Sequence, residues 1–386
     1  MINHKKINDQ YFNASNGYWS VGEEVFFSKA AALLSAAKNK LKIRYHYNEH
    51  VFKDYKWGTE PTQSLEELYL QRAREIRDTY DYIILLYSAG SDSTNMIRTF
   101  LDNNIKIDHV MSWGAVDKNH DKFDIANIEI TTQGTNTIKE ITSKGIKFSY
   151  ENFLEESILE QTYTSGDWIL EAGSAMAPTA EFLSKNFFVK KEFMKIAEKG
   201  KKVCFLWARE KPMIELVSNS YFLVFYDNLL SEQWHSSWNN KAYPIFHENF
   251  YQHFSTPNLI AKQCHVLLNY YEKNFNIPDL KKFFTPDSYT PEIISTRLKI
   301  INKLLYGKNW NENNFSTGKP LLQFKPHKCF WFFKDSNTKQ YKNWSSGIKE
   351  LLKNIDGPYK ENFGKYGTLA GFKQYYFIKN FKKILS

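Results

Sequence analysis

A short apolar run followed at once by a loop of small residues limits what this chain can fold into. The run covers residues 82–87, within the stretch 81–99 that reads DYIILLYSAGSDSTNMIRT, and it predicts a buried strand. After the loop, Met96, Ile97 and Phe100 recur at helical spacing, which predicts a helix beginning near Ser93. A strand, a loop and a helix in this order can cradle phosphate, because the loop N–H groups and the helix N-terminus carry partial positive charge.

The loop itself has the composition of a phosphate site but not of the lysine-containing P-loop, since GxxxxGK[ST] is absent. Gly90 permits a left-handed or crowded backbone. The sequence of residues 88–93, SAGSDS, resembles the SGGxDS signature of the PP-loop superfamily, the N-type ATP pyrophosphatases. Ala89 departs from that signature. Because alanine does not readily adopt a positive φ, either residue 89 lies in the αR or β region or the loop is altered. The alternative interpretation is a serine-rich turn.

This resemblance implies a fold and a chemistry. PP-loop proteins, which include the synthase domains of asparagine synthetases, share an adenine nucleotide alpha hydrolase-like parallel sheet. Most of them split ATP between the α- and β-phosphates and adenylylate an acceptor oxygen, and a nitrogen or sulfur nucleophile then displaces AMP. Carried onto this chain, the nucleotide-binding residues are Ser88, Ala89, Gly90, Ser91, Asp92, Ser93 and Thr94. Asp92 would also position Mg²⁺, and Asp92 and Ser93 would be catalytic. The chain also looks similar to PP-loop proteins of large tailed phages.

Further strands alternate with helices after this first unit. Apolar runs predict strands at 107–113, 146–150 and 202–207, and helical periodicity covers 123–144 and 189–199. This alternation predicts an α/β fold with a parallel sheet, whose ligands lie beyond the carboxyl ends of the strands. The same edge would then hold residues 88–93, Trp113 with Gly114, and residues 209–211.

Two cations and one ring at that edge are candidate site residues. Arg209 and Lys211 follow the strand 202–207 and would balance triphosphate charge as catalytic residues, unless they form only a solvated turn. Trp113 would flank an adenine ring beside Gly114, although ordinary core packing explains its position equally well.

The chain divides into three predicted regions. Residues 1–77 form an N-terminal extension, residues 78–228 the nucleotide-binding domain, and residues 229–386 a mainly helical, basic C-terminal region. A strand over 221–226 would close the core. Helices are predicted from the capping box at Ser64, over 258–273, from Thr290 to residue 305, and over 371–385.

Composition indicates whether the chain folds and in which cellular compartment we expect it. Aromatic residues make up 17% of the 386 residues, too much apolar surface for a disordered chain. We find neither a run of 18 apolar residues nor a signal-peptide pattern, and the three cysteines form no CxxC motif, so we predict a cytoplasmic protein without a membrane partner.

The net charge of +9 is concentrated in residues 325–386, which contain 13 lysines and four acidic residues, a difference of +9. This basic region could bind nucleic acid, or its lysines could simply form a solvated helix face.

Three functions follow. The first is an ATP- and Mg²⁺-dependent, AMP-forming ligase that adenylylates a small-molecule acceptor for attack by a nitrogen nucleophile; the cysteine pattern disfavours thiolation. The second is a PP-loop enzyme that modifies a base of tRNA or DNA and docks it on the basic region. The third is a catalytically silent nucleotide-binding protein. The sequence indicates neither the acceptor nor the oligomeric state.

Overall fold

The computed structural model describes ten segments of the chain. They are residues 17–26, 29–114, 129–130, 133–152, 165–170, 191–209, 211–227, 244–310, 337–355 and 372–381.

The N-terminal layer is a small antiparallel sheet with two helices. Strands β1 (Tyr18–Val21), β2 (Glu24–Phe26) and β3 (Ile43–His46) pair in the order β2-β1-β3, with α1 (Lys29–Asn39) and α2 (Glu49–Phe52) beside them. Trp19 and Tyr45 pack inside this layer, with their ring centroids 5.7 Å apart.

The helix α3 (Leu65–Thr79) leads from this layer into the central sheet. Its N-terminus is a capping box, as predicted: the Ser64 hydroxyl accepts from the Glu67 backbone N–H at 3.2 Å, and the Glu67 carboxylate accepts from the Ser64 N–H at 2.7 Å. Leu68, Ala73 and Ile76 form its buried face.

The central sheet has five parallel strands. The strands of the described chain that follow α3 are β4 (Tyr82–Leu86), β5 (His109–Gly114), β6 (Lys147–Asn152), β7 (Val203–Trp207), β8 (Met213–Val217), β9 (Ser220–Tyr226), β10 (Ile245–Asn249) and β11 (Lys373–Asn380). Five of them form the sheet in the order β10-β7-β4-β5-β6. The chain runs outward from β4 to β6 and returns to β7 on the other side of β4, so the order reverses between β4 and β7. The predicted α/β class with a parallel sheet is confirmed.

Helices pack around this sheet and continue beyond it. They are α4 (Ser91–Asp102), α5 (Gly134–Ser143), α6 (Lys191–Glu198), α7 (Pro257–Asn274), α8 (Ile277–Phe284), α9 (Pro291–Tyr306) and α10 (Lys339–Asn354). Of the predicted helix 123–144, residues 134–143 form α5, and residues 123–128 lie outside the described residues. The helices predicted over 258–273 and from Thr290 are confirmed as α7 and α9.

Two expectations about strands are wrong. The strand predicted over 221–226 exists as β9, but it belongs to a separate antiparallel sheet of order β11-β9-β8 rather than to the core sheet. The helix predicted over 371–385 is replaced over residues 373–380 by β11, whose backbone pairs with β9. Residues 375–378 read YYFI, and tyrosine, phenylalanine and isoleucine favour strands, so local propensity and the pairing with β9 agree. Strand β10 also lies beyond residue 228. The C-terminal region therefore contributes β10 to the central parallel sheet and β11 to the antiparallel sheet β11-β9-β8.

A buried ionic cluster fastens β10 to α3. The Glu248 carboxylate lies 2.9 Å from an Arg72 nitrogen and 2.9 Å from His253 Nε2, and it accepts from the Tyr80 hydroxyl at 2.5 Å. Arg72 also donates to the backbone carbonyl of Asn249 at 2.9 Å. Glu248 and Arg72 are almost fully buried, so each charge depends on the other for its compensation.

Among the helices of the described segments, we find none with the length and apolar character that a membrane span requires.

Candidate functional site

Three neighbouring strands end at one place. The loop 88–93 follows β4, Arg209 and Lys211 follow β7, and Tyr251 with Gln252 follows β10. Because β4 and β7 are the strands between which the order reverses, the space beyond their carboxyl ends is where α/β sheets usually bind ligands, and we call this place the crevice. The first two groups are those that the sequence singles out.

The left-handed residue of the loop is Ala89 and not Gly90. Ala89 has φ of 58°, whereas Gly90 has φ of −71° and ψ of 168° and is the N-cap of α4. The αR or β conformation expected as one alternative for Ala89 is therefore wrong, and the loop keeps the left-handed turn at a residue that disfavours it. Such a residue costs on the order of 1 kcal/mol and persists only where its surroundings enforce it. Helix α4 begins at Ser91, two residues before the predicted start.

The serines of the loop bind one another. The Ser93 hydroxyl accepts from the Ser88 N–H at 3.2 Å, donates to the Gly90 carbonyl at 3.1 Å and lies 3.1 Å from the Ser88 hydroxyl. Ser93 is 2% exposed. Its hydroxyl therefore shapes the loop from inside, while Ser91 and Thr94 occupy the first turn of α4.

The first residue of helix α5 lies against the loop 88–93. A Cβ placed on Gly134, the first residue of α5, would lie 2.9 Å from the Ala89 Cβ and 3.5 Å from a Tyr87 ring carbon. Ala89 is buried against this glycine. The absence of a side chain at Gly134 therefore lets the Ala89 methyl group approach α5 closely.

We therefore expect Gly134→Ala to destabilise the protein by roughly 1–3 kcal/mol, the usual cost of overpacking a tight contact. Combining it with Ala89→Gly should recover most of that loss, since the second change removes the clashing methyl group. Urea unfolding of the two single variants and the double variant measures this. Additive effects of the two changes would contradict the direct contact.

Asp92 is the centre of the polar contacts at the crevice. Its two carboxylate oxygens lie 2.6 and 2.9 Å from the Lys211 ammonium nitrogen, and one of them accepts a hydrogen bond from the Tyr306 hydroxyl. The Lys211 and Asp92 side chains are 15% and 30% exposed. The structure thus brings together Asp92 and Lys211, two residues predicted from separate strand ends.

A second layer of residues, most of them from beyond β10, holds helix α4 in place. The Tyr251 hydroxyl donates to the Asp92 carbonyl at 2.8 Å and accepts from the Asn95 amide at 3.0 Å. Asn309 in turn donates to the Asn95 side-chain oxygen at 3.0 Å. Burial, together with the nearby Asp92, raises the pKa values of Tyr251 and Tyr306 well above their ordinary range, so both hydroxyls stay protonated and can donate.

The sequence analysis did not predict this second layer. Tyr251, Asn95, Tyr306 and Asn309 carry no motif, and Tyr306 lies 214 positions from its partner Asp92. The only available signal was that the helix predicted from Thr290 ends at this point.

The remaining predicted residues are positioned as follows. Arg209 lies over the Trp207 ring, 4.4 Å from its centroid, and is partly exposed at the end of β7. Trp113 and Gly114 end β5 opposite Glu151 and Asn152 of β6. The side chain of Trp113 lies outside the described part of the chain. Arg209 is thus the only one of these residues whose side chain the structure locates near the crevice.

A magnesium ion would find one suitable oxygen donor here. Within the described segments, no group of three or more His, Cys, Asp or Glu side chains could hold a metal ion. A lone carboxylate is compatible with Mg²⁺, which is usually held by one or two carboxylates together with substrate phosphates and water. Lys211 contacts both carboxylate oxygens of Asp92, so Asp92 fits that role only after Lys211 has released at least one of them.

Comparison of the sequence with protein-family models gives no match, and comparison with curated proteins gives none either.

Proposed function

We propose that this protein binds ATP at the loop 88–94 and cleaves it to AMP and pyrophosphate. The observation that carries the proposal is the meeting of Asp92 and Lys211 at the crevice between β4 and β7. A helix N-terminus, a loop of small residues and a half-buried ammonium group at one point favour a polyphosphate. The resemblance of residues 88–93 to the SGGxDS signature assigns the proposal to PP-loop chemistry.

In the proposed reaction an acceptor oxygen attacks the α-phosphorus, and the bond from that phosphorus to the bridging oxygen breaks. The N–H groups at the start of α4 and the Lys211 ammonium stabilise the pyrophosphate as it leaves. A nitrogen nucleophile then attacks the activated carbon, the carbon–oxygen bond breaks, AMP departs and the nitrogen loses a proton. Arg209, beside Lys211 at the end of β7, balances the remaining phosphate charge.

Lys211 has a second partner in this scheme. Its ammonium group binds Asp92 in the structure and would turn toward the phosphates of a bound nucleotide. Asp92 would then be the carboxylate that holds Mg²⁺, and the ion would neutralise charge on the phosphate oxygens. Tyr306 and Tyr251 keep Asp92 in position during this exchange, because each donates its own hydrogen bond to Asp92.

Product analysis with α-labelled ATP and Mg²⁺ tests the proposal. The protein is incubated with pools of carboxylic acids, amides and nucleic acids, with and without ammonia, and the labelled products are separated. Labelled AMP with an equal amount of pyrophosphate is the expected result. Labelled ADP would contradict it. ATP binding without turnover in any pool would favour the silent nucleotide-binding protein.

A further inference from the structure

The antiparallel sheet β11-β9-β8 exposes aromatic rings on one side. Tyr375 and Phe377 of β11 are 45% and 51% exposed. They are two residues apart, so their side chains point to the same side of the strand. Phe222 of β9 is paired with Phe377, and its ring centroid lies 6.0 Å from that of Tyr375 and 5.9 Å from that of Phe377. We call these three residues the aromatic face.

The aromatic face is held in position by a buried carboxylate. Glu215 of β8 is 3% exposed and accepts from the Tyr375 hydroxyl at 3.2 Å and from the Lys373 ammonium at 2.9 Å. It also accepts from the Tyr226 hydroxyl. Tyr375 therefore presents its ring in a fixed orientation, which lowers the entropy lost when a flat ligand stacks on it.

The region that carries the aromatic face is basic. Residues 372–386 contain four lysines and no acidic residue. Two of these lysines, Lys373 and Lys379, are already paired with Glu215 and Glu272, so the surplus charge comes from elsewhere in residues 325–386.

Helix α10 carries part of that surplus on one side. Its exposed lysines are Lys339, Lys342, Lys349 and Lys353. Their spacing places them within a sector of about 80° around the helix axis. A single-sided row of cations attracts a polyanion, and flat rings bind bases.

We propose that the aromatic face binds a single-stranded nucleic acid by stacking its bases on Tyr375, Phe377 and Phe222. The rings contact the faces of the bases, and the lysines of residues 325–386 attract the phosphate backbone. This proposal goes beyond ATP cleavage and does not depend on it, because it concerns binding in the absence of nucleotide.

Fluorescence anisotropy of a labelled oligothymidylate of about 12 nucleotides, titrated with the full chain, tests the proposal. Tyr375→Ala combined with Phe377→Ala should weaken binding about 100-fold, since each stacked ring contributes roughly tenfold or more. Phe254→Ala is the matched control, because Phe254 is an aromatic residue of similar exposure, 39%, that follows β10 and packs against His253. That variant should bind like the native chain. Tyr375→Phe keeps the ring and should also retain binding.

Several outcomes would overturn the proposal. One is that the native chain does not bind the oligonucleotide, and another is that the folded double variant binds it equally well. If the double variant unfolds, the single variant Phe377→Ala is decisive, since half of its ring is already in solvent. Sedimentation of the native chain identifies the competing occupant: a dimer that Phe377→Ala converts to a monomer would make the face a contact between two copies. The folded variants should keep the ATP cleavage of the native chain, since the aromatic face lies outside the loop 88–94.

Discussion

Replacing Lys211 by methionine is expected to lower the rate of AMP formation from ATP by about 100- to 1,000-fold. The Lys211 ammonium group binds Asp92 in the first turn of α4. Methionine keeps the length of the side chain while removing the charge that stabilises departing pyrophosphate. The fold should be retained, because Asp92 keeps its contact with Tyr306 and its side chain is 30% exposed to water. The measurement is initial-rate analysis with α-labelled ATP, with the acceptor that the pool experiment identifies.

Lys308→Met is the matched control for this prediction. Lys308 lies on the same side of the molecule as α4, where its ammonium group is 3.6 Å from Asp102, and its side chain is 79% exposed. The control removes the same charge from a solvated position and should change the rate less than twofold, since exposed ion pairs contribute little. Equal losses in both variants would mean that Lys211 acts only through the overall charge of the protein.

Replacing Glu248 by glutamine is expected to lower the free energy of unfolding by roughly 3 kcal/mol. The change leaves the Arg72 guanidinium buried with a neutral partner, and it weakens the link between β10 and α3. Urea unfolding at neutral pH measures the loss. Glu75→Gln is the control: Glu75 also lies 3.2 Å from Arg72, but its side chain is 38% exposed, so its removal should cost less than about 1 kcal/mol.

The stability loss in Glu248→Gln should also depend on pH. Burial alone would raise the pKa of Glu248, but His253, Arg72 and Tyr80 together lower it from 4.5 to about 2. A carboxyl whose pKa is lowered on folding stabilises the folded state above its unfolded pKa and loses that contribution as the pH falls. The stability difference between the native chain and Glu248→Gln should therefore shrink between pH 4.5 and pH 2. A difference that stays constant over this range would contradict the ionised state of Glu248.

Local patterns predicted the elements whose stability is local. The strand at 82–86, the capping box at Ser64 and the helix from Thr290 each depend on residues within a few positions of one another, and each is confirmed. The parallel sheet also followed from the alternation of strands and helices.

The missed elements depend on distant partners. Strand β10 reads IFHEN, and its His, Glu and Asn are buried. Three polar residues out of five do not predict a buried strand. The burial of Glu248 depends on Arg72 and Tyr80, which lie far from it in the sequence. Strand β11 forms its backbone hydrogen bonds with β9, which lies about 150 residues earlier in the chain. Asp92 could be singled out from its loop, but Tyr306 could not, because nothing near Tyr306 indicates that it will contact Asp92.

That separation affects how the protein is made. A ribosome adds roughly 5–20 residues per second, so the segment from Asp92 to Tyr306 takes on the order of 10–40 s to synthesise. During that time the loop after β4 can form beside its own helix, but Asp92 has neither Tyr251 nor Tyr306 to hold it. The nascent chain therefore carries an incomplete crevice, and the side of β7 that later pairs with β10 stays unpaired until β10 has been made. During this interval that side of β7 can pair with a strand of another chain.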